Sequence, residues 1–201
     1  MRLFKPLVFV LLIVLSINAF SQQKKNSIND LLDKELPYFK GLPLSGDSIT
    51  SSDLKGKVTL IQFLYLGCMP CMHEVPYYND LYKSLDKSKF DLIAICPETF
   101  NTLIKFNNND TTSPAHALHK FFKIEKINYK VIAECKEQNY PFGRPQCSTI
   151  SEKFYLSGYP YSVLVDKSGI IRKIYGGFAM DENEAKKLID ELKTDIIKLM
   201  E

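Results

Sequence analysis

Residues 58–65, Val-Thr-Leu-Ile-Gln-Phe-Leu-Tyr, form a run that is apolar on both faces of an extended chain. A strand built from it must be covered on both sides, which calls for a central place in a sheet within a layered α/β architecture. Directly after it comes Cys68-Met69-Pro70-Cys71, at the start of a helix-like segment. Two thiols separated by two residues on the first turn of a helix are arranged for reversible disulfide chemistry. The helix N-terminus offers unpaired N–H groups and a partial positive charge, which stabilise a thiolate and lower the pKa of the leading cysteine. Cys68 is therefore the candidate nucleophile. Cys71, one turn in, is close enough to resolve a mixed disulfide formed on it. Pro70 restricts the backbone and fits within a helix's first turn.

The flanking chain supplies the other layers. Leu36 to Ile49 reads as an irregular strand pair turned by Gly41, Pro43, Gly46 and Asp47. The helix from the CxxC runs to about Leu85, with a kink expected at Pro76. Phe90 to Cys96 is a second buried strand. A helical stretch, strongest over Ala117 to Ile124, follows a polar bulge at Asn107-Asn108-Asn109-Asp110, and Tyr129 to Ala133 is a third strand. Tyr161 to Val165 and Ile170 to Tyr175 flank Asp166-Lys167-Ser168-Gly169, whose glycine suits a tight hairpin. Asp181 can cap a last helix with Glu184 three residues on, and Ala185, Leu188, Ile189, Leu192 and Ile196 form its apolar face. In 201 residues without repeat or linker, one domain is expected over 36–201, preceded by a flexible segment over 22–35.

Residues 1–21 read as a signal peptide. Arg2 and Lys5 form a basic start, Leu7 to Ile17 an uncharged apolar core, and Ala19-Phe20-Ser21 a cleavage site before Gln22. The apolar stretch is short for spanning a bilayer, so no stable membrane insertion is expected after cleavage. The net charge of +3 includes Arg2 and Lys5, so the exported chain is close to neutral and charge argues for neither nucleic acid nor an anionic membrane. Export, with a periplasmic destination, lets disulfides persist. Five cysteines leave at least one unpaired within the chain. Nothing in the sequence sets an oligomeric state.

Six pieces now stand in order: Asp53-Leu54-Lys55-Gly56-Lys57-Val58; Phe63 five residues before Cys68; Cys68-Met69-Pro70-Cys71; Glu74 and Pro76; Gly158-Tyr159-Pro160; and Val165-Asp166-Lys167-Ser168-Gly169. Together they resemble the thioredoxin superfamily and, within it, the exported TlpA/ResA-like thiol–disulfide oxidoreductases, over roughly residues 36–200. The resemblance implies a thioredoxin-like fold, a central mixed β-sheet flanked by helices with an N-terminal strand extension. It also implies exchange with protein thiol and disulfide substrates, in the reducing direction and with an upstream thiol electron donor. Pro160 matches the superfamily's cis-proline, which would turn the Tyr159 backbone toward the thiols as a docking edge for substrate peptide. Glu74, one turn beyond Cys71, matches a glutamate linked to the active site. A partly buried carboxylate has a raised pKa and can take a proton from Cys71. Gln62 stands where thioredoxins carry a buried aspartate, and it cannot titrate, which shifts the proton role to Glu74. One departure is Gly67, where many relatives have tryptophan; a flat apolar platform beside Cys68 is missing there.

Cys135 and Cys147 enclose eleven residues rich in turn chemistry. A structural disulfide is the first choice, stabilising by on the order of 2–3 kcal/mol; a second redox pair is the alternative. Cys96 ends an apolar strand and reads as a buried inert thiol. His73, His116 and His119 match no zinc-finger spacing, and a copper chaperone of the Sco type would want CxxxC, so no metal is expected. No dissociable cofactor is implied, because the electrons reside on sulfur. Peroxiredoxin activity is disfavoured because Tyr65 replaces that family's threonine three residues before the cysteine. The rival reading is a redox-inactive or metal-binding, copper-chaperone-like module on the same fold.

Overall fold

The computed structural model describes residues 26–44, 46–113, 115–135 and 150–201. Among these residues seven strands form, β1 (Lys40–Gly41), β2 (Ile49–Thr50), β3 (Val58–Phe63), β4 (Phe90–Thr99), β5 (Lys130–Cys135), β6 (Tyr161–Val165) and β7 (Ile171–Gly176). Four α-helices accompany them among the described residues: α1 (Met69–Ser84), α2 (Phe100–Asn107), α3 (His116–Phe121) and α4 (Glu182–Met200). All six β3 residues are buried, as a strand apolar on both faces requires.

β3 sits at the centre of a mixed five-stranded sheet of order β5-β4-β3-β6-β7. It runs parallel to β4 and antiparallel to β6, with Gln62 opposite Ala94 on one side and Ser162 on the other. One face of the sheet packs Leu60, Leu92 and Leu164 with Met72, Val75 and Tyr78 of α1 and Leu192 and Ile196 of α4. The other packs Ile61, Phe63, Ile95 and Val163 with Ile28, Leu31, Phe39 and Phe154. β1 and β2 pair as a two-stranded antiparallel extension.

Several expectations shift in position. The segment over 22–35, expected to be flexible, is packed in its described part: Ile28–Leu31 forms a 3-10 turn with Ile28 and Leu31 buried. The reason is local, since Ser27 and Asp30 form a capping box and Ile28 and Leu31, three apart, share one face. Residues 1–21 lie outside the described residues. β4 runs three residues past Cys96, with a register shift against β5 between Cys96 and Thr99. α2 fills the stretch before the expected polar bulge, capped by the Thr99 side chain accepting from the Thr102 N–H. α1 carries Pro76 in its interior. The hairpin turns through Gly169 at φ +87, a left-handed conformation that glycine adopts without strain. Asp181 caps α4 by accepting from the Asn183 and Glu184 N–H groups, and Ala185, Leu192 and Ile196 are buried while Leu188 stays partly exposed.

Candidate active site

The end of β3 delivers the chain to the redox pair. The Leu64 N–H still donates to the Ile95 carbonyl at 3.2 Å, and a turn closes with the Cys68 N–H on the Tyr65 carbonyl at 3.1 Å. Between them the Leu66 N–H lies near the Glu98 carboxylate at the end of β4. Burial pushes the Glu98 carboxyl up, and the Leu66 N–H partly offsets it. Cys68 is the N-cap of α1, with extended backbone, and its Sγ accepts from the Cys71 N–H at 3.2 Å. Pro70 sits in the first helical turn, where no N–H is needed. Cys68 and Cys71 are joined as a disulfide, with sulfurs 2.03 Å apart. Cys68 is 5% exposed and Cys71 fully buried, so an incoming thiol or disulfide meets Cys68 first.

Behind the pair lies Glu74, 2% exposed and on the same helix. The Gln62 Nε2 donates to its Oε2 at 2.6 Å, and the Gln62 Oε1 accepts from the Tyr129 hydroxyl at 2.7 Å. Tyr78 flanks the same carboxylate and shares a hydrogen bond with the Ser162 Oγ at 2.9 Å. Burial is the largest influence on Glu74 and pushes its pKa up to about 8, against the opposing hydrogen bonds of Gln62 and Tyr78. Near neutral pH this carboxyl therefore exchanges a proton readily.

The Tyr159–Pro160 bond is cis. Pro160 is buried and Tyr159 half-buried, and the Pro160 carbonyl accepts from the Gly177 N–H at 2.9 Å. The Tyr159 ring stacks edge-on against Tyr65, centroids 5.4 Å apart, so the loop before the cysteines touches the loop before β6. Sequence reasoning missed this contact. Tyr65 is 40% exposed, and aromatic surface absent at position 67 is present two residues earlier. Gly67 makes room for it: a Cβ there would lie 3.1 Å from the Tyr65 Cε2.

Cys96 is free and buried, with its thiol pushed well above the ordinary range, first by burial and then by the charges of Glu98 and Glu134. Cys135 is disulfide-bonded, while Cys147 lies outside the described residues. Buried Glu134 accepts from the Ser151 N–H at 2.8 Å and from the Ser151 hydroxyl. The histidines go elsewhere. The His73 Nδ1 lies 3.0 Å from the Ala179 carbonyl oxygen, and His119 is buried edge-on against Phe106. Among the described residues, no three His, Cys, Asp or Glu side chains group as a metal site. No helix among them is long and apolar enough to cross a membrane.

Comparison with known proteins agrees with this layout. The AhpC/TSA family model matches residues 32–174. The thiol-disulfide oxidoreductase ResA of Bacillus cereus is 27% identical over 158 residues, covering 78% of this chain and 75% of that protein. ResA of Bacillus subtilis is 24% identical over 153 residues, covering 76% and 70%. Among solved structures, a thiol-disulfide isomerase from Corynebacterium glutamicum superposes with a TM-score of 0.52 at 20% identity, covering 81% of this chain and 97% of that one. At that identity the likeness is one of fold, and it bears out the central mixed sheet flanked by helices.

Proposed function

This chain belongs to the AhpC/TSA family of thioredoxin-like proteins, and from that premise we propose that it reduces protein disulfides by thiol–disulfide exchange through Cys68 and Cys71. The observation that carries the reading is the CxxC pair, disulfide-bonded at a helix N-terminus with the leading sulfur accepting an N–H.

In the reduced protein the Cys68 thiolate attacks a substrate disulfide. One substrate sulfur bonds to Cys68 and the other departs as a thiolate that takes a proton from solvent. Cys71 then gives its proton to the Glu74 carboxylate and attacks the Cys68 Sγ. The mixed disulfide breaks, and the second substrate sulfur leaves as a thiolate and takes up the proton that Glu74 received, which returns Glu74 to the carboxylate. Two electrons and two protons have passed to the substrate, and the pair is left oxidised. An upstream thiol donor restores it, so the cycle needs no dissociable cofactor. The half-exposed Tyr159 side of the cis-proline loop supports its assignment as the docking edge for an extended substrate segment. Its backbone N–H and C=O make no backbone hydrogen bond among the described residues. The signal-peptide reading of residues 1–21 puts this chemistry outside the cytoplasm, in the periplasm.

Dithiothreitol-dependent insulin reduction tests the activity, with Cys68→Ser as the comparison. Equal rates in the two proteins would sink it. Direction is tested by titrating the Cys68–Cys71 couple against a thiol buffer. A reductant should fall near the thioredoxin value of about −270 mV, and a potential near about −120 mV would make the protein an oxidant instead.

A further inference from the structure

We propose that Gln62, pinned by the Tyr129 hydroxyl, is a positioning residue that holds the Glu74 carboxylate in one orientation behind the cysteine pair. The inference rests on the reading of Glu74 as proton acceptor for Cys71.

Gln62 lies in the middle of β3 and is fully buried, where an unpaired amide would be strongly unfavourable. Both of its ends are bonded, the Nε2 to Glu74 and the Oε1 to Tyr129. The two ends of an amide differ in kind, one a donor and one an acceptor. Tyr129 decides which end goes where. Its hydroxyl is buried and pushed well above its ordinary range, first by burial and then by the charge of Glu74, so it stays protonated. Donating that proton to Gln62 marks the oxygen end and leaves the NH₂ end facing Glu74.

Three elements converge here: β3 brings Gln62, α1 brings Glu74, and the residue just before β5 is Tyr129. A neutral amide donor favours the ionised carboxylate without competing for its proton. It therefore opposes the burial that would otherwise keep Glu74 permanently protonated. Other titratable and charged groups face the same place. Tyr78 flanks Glu74 from α1, and Tyr175 of β7 shares with it a cavity of about 100 Å³. The Tyr175 hydroxyl is committed to the Asp195 Oδ2 of α4 at 2.7 Å, and Asp195 also pairs with Lys173. Gln62 is thus the side chain from the central strand that reaches Glu74, and its alignment depends on Tyr129.

The test is a titration of the Glu74 carboxyl carbon by ¹³C NMR in wild type, Gln62→Met and Tyr129→Phe, beside the pH profile of insulin reduction with Glu74→Gln as reference. Gln62→Met deletes the donor, and the titration should move up by about one to two pH units. Tyr129→Phe loosens the amide without deleting it and should move the titration the same way by about half a unit. The activity inflection should follow in both. Should Gln62→Met fail to fold, Tyr129→Phe, which removes a single oxygen, answers on its own. A carboxyl that titrates at the wild-type pH in the folded variants overturns the proposal. A titration that moves while Glu74→Gln leaves the pH profile unchanged upholds the positioning and removes Glu74 from the proton step.

Discussion

Two carboxylates mark opposite ends of the β3–β6 pairing, and they behave in opposite ways. Asp166 follows Val165, which pairs with Thr59, whereas Glu74 lies against Gln62, which pairs with Ser162. Burial alone would push Asp166 up. The N–H groups of Ile170 at 3.0 Å and Ser168 at 2.8 Å, with the Arg172 Nε at 2.7 Å, outweigh burial and hold its carboxyl below the usual range. At Glu74 burial prevails over two neutral hydrogen bonds, and the carboxyl sits at about 8. The same functional group thus secures a turn at one end and holds an exchangeable proton at the other. What differs is the supply of donors and of a neighbouring positive charge.

The hardest blow to the redox end is loss of a thiol. Cys68→Ser should lower insulin reduction by roughly 1000-fold or more, because a serine hydroxyl is a far weaker nucleophile at neutral pH. Cys71→Ser should still attack but fail to resolve, so a substrate-linked adduct accumulates and is visible by non-reducing electrophoresis and mass spectrometry. An adduct on Cys71→Ser that is absent from Cys68→Ser confirms the order of attack. Adducts on Cys68→Ser alone would reverse it.

Glu74→Gln sharpens the comparison through stability. The folded pKa of Glu74 lies above its unfolded value, so the folded state holds the extra proton. Its contribution is complete below about 4.5 and is lost as pH rises toward about 8. Wild type should therefore lose stability on the order of a few kcal/mol over that window, and Glu74→Gln should remove this dependence. Urea unfolding at pH 5 and pH 8 measures it. Parallel losses in both proteins would mean that Glu74 is not the source.

How much of this the sequence disclosed depends on how local each signal is. The run 58–65, the CxxC at a helix start, the 166–169 hairpin and the Asp181 cap are each written within a few residues, and each stands where expected, save that the strand ends at Phe63 rather than Tyr65. Glu74 behind Cys71 was legible from its place one helical turn on. Its partners were not, because Tyr129 reaches Gln62 across 67 residues and no periodicity links the two. The Tyr65–Tyr159 contact was hidden for the same reason, since it joins two loops through the fold. α2 went unseen because its asparagine-rich end reads as loop, although Leu103 and Phe106 are buried and set three apart. The packing of residues 28–31 went unseen because polar residues surround Ile28 and Leu31, and their burial against the sheet cannot be read from their neighbours.

The smallest effect should come from the structural end. Asp166→Ala removes an acceptor shared by two N–H groups and a guanidinium, and should destabilise the protein by about 1–2 kcal/mol at pH 7. Because the folded pKa lies below the unfolded one, this stabilisation is present above about 3.8 and disappears as pH falls through the folded value. The stability difference between wild type and Asp166→Ala should therefore close in acid, the reverse of the trend at Glu74. Insulin reduction and its pH profile should stay at wild-type values, since the turn lies at the far end of the β3–β6 pairing from Cys68. A changed profile in Asp166→Ala would show that the two ends of this sheet are coupled and that the division of labour between its carboxylates does not hold.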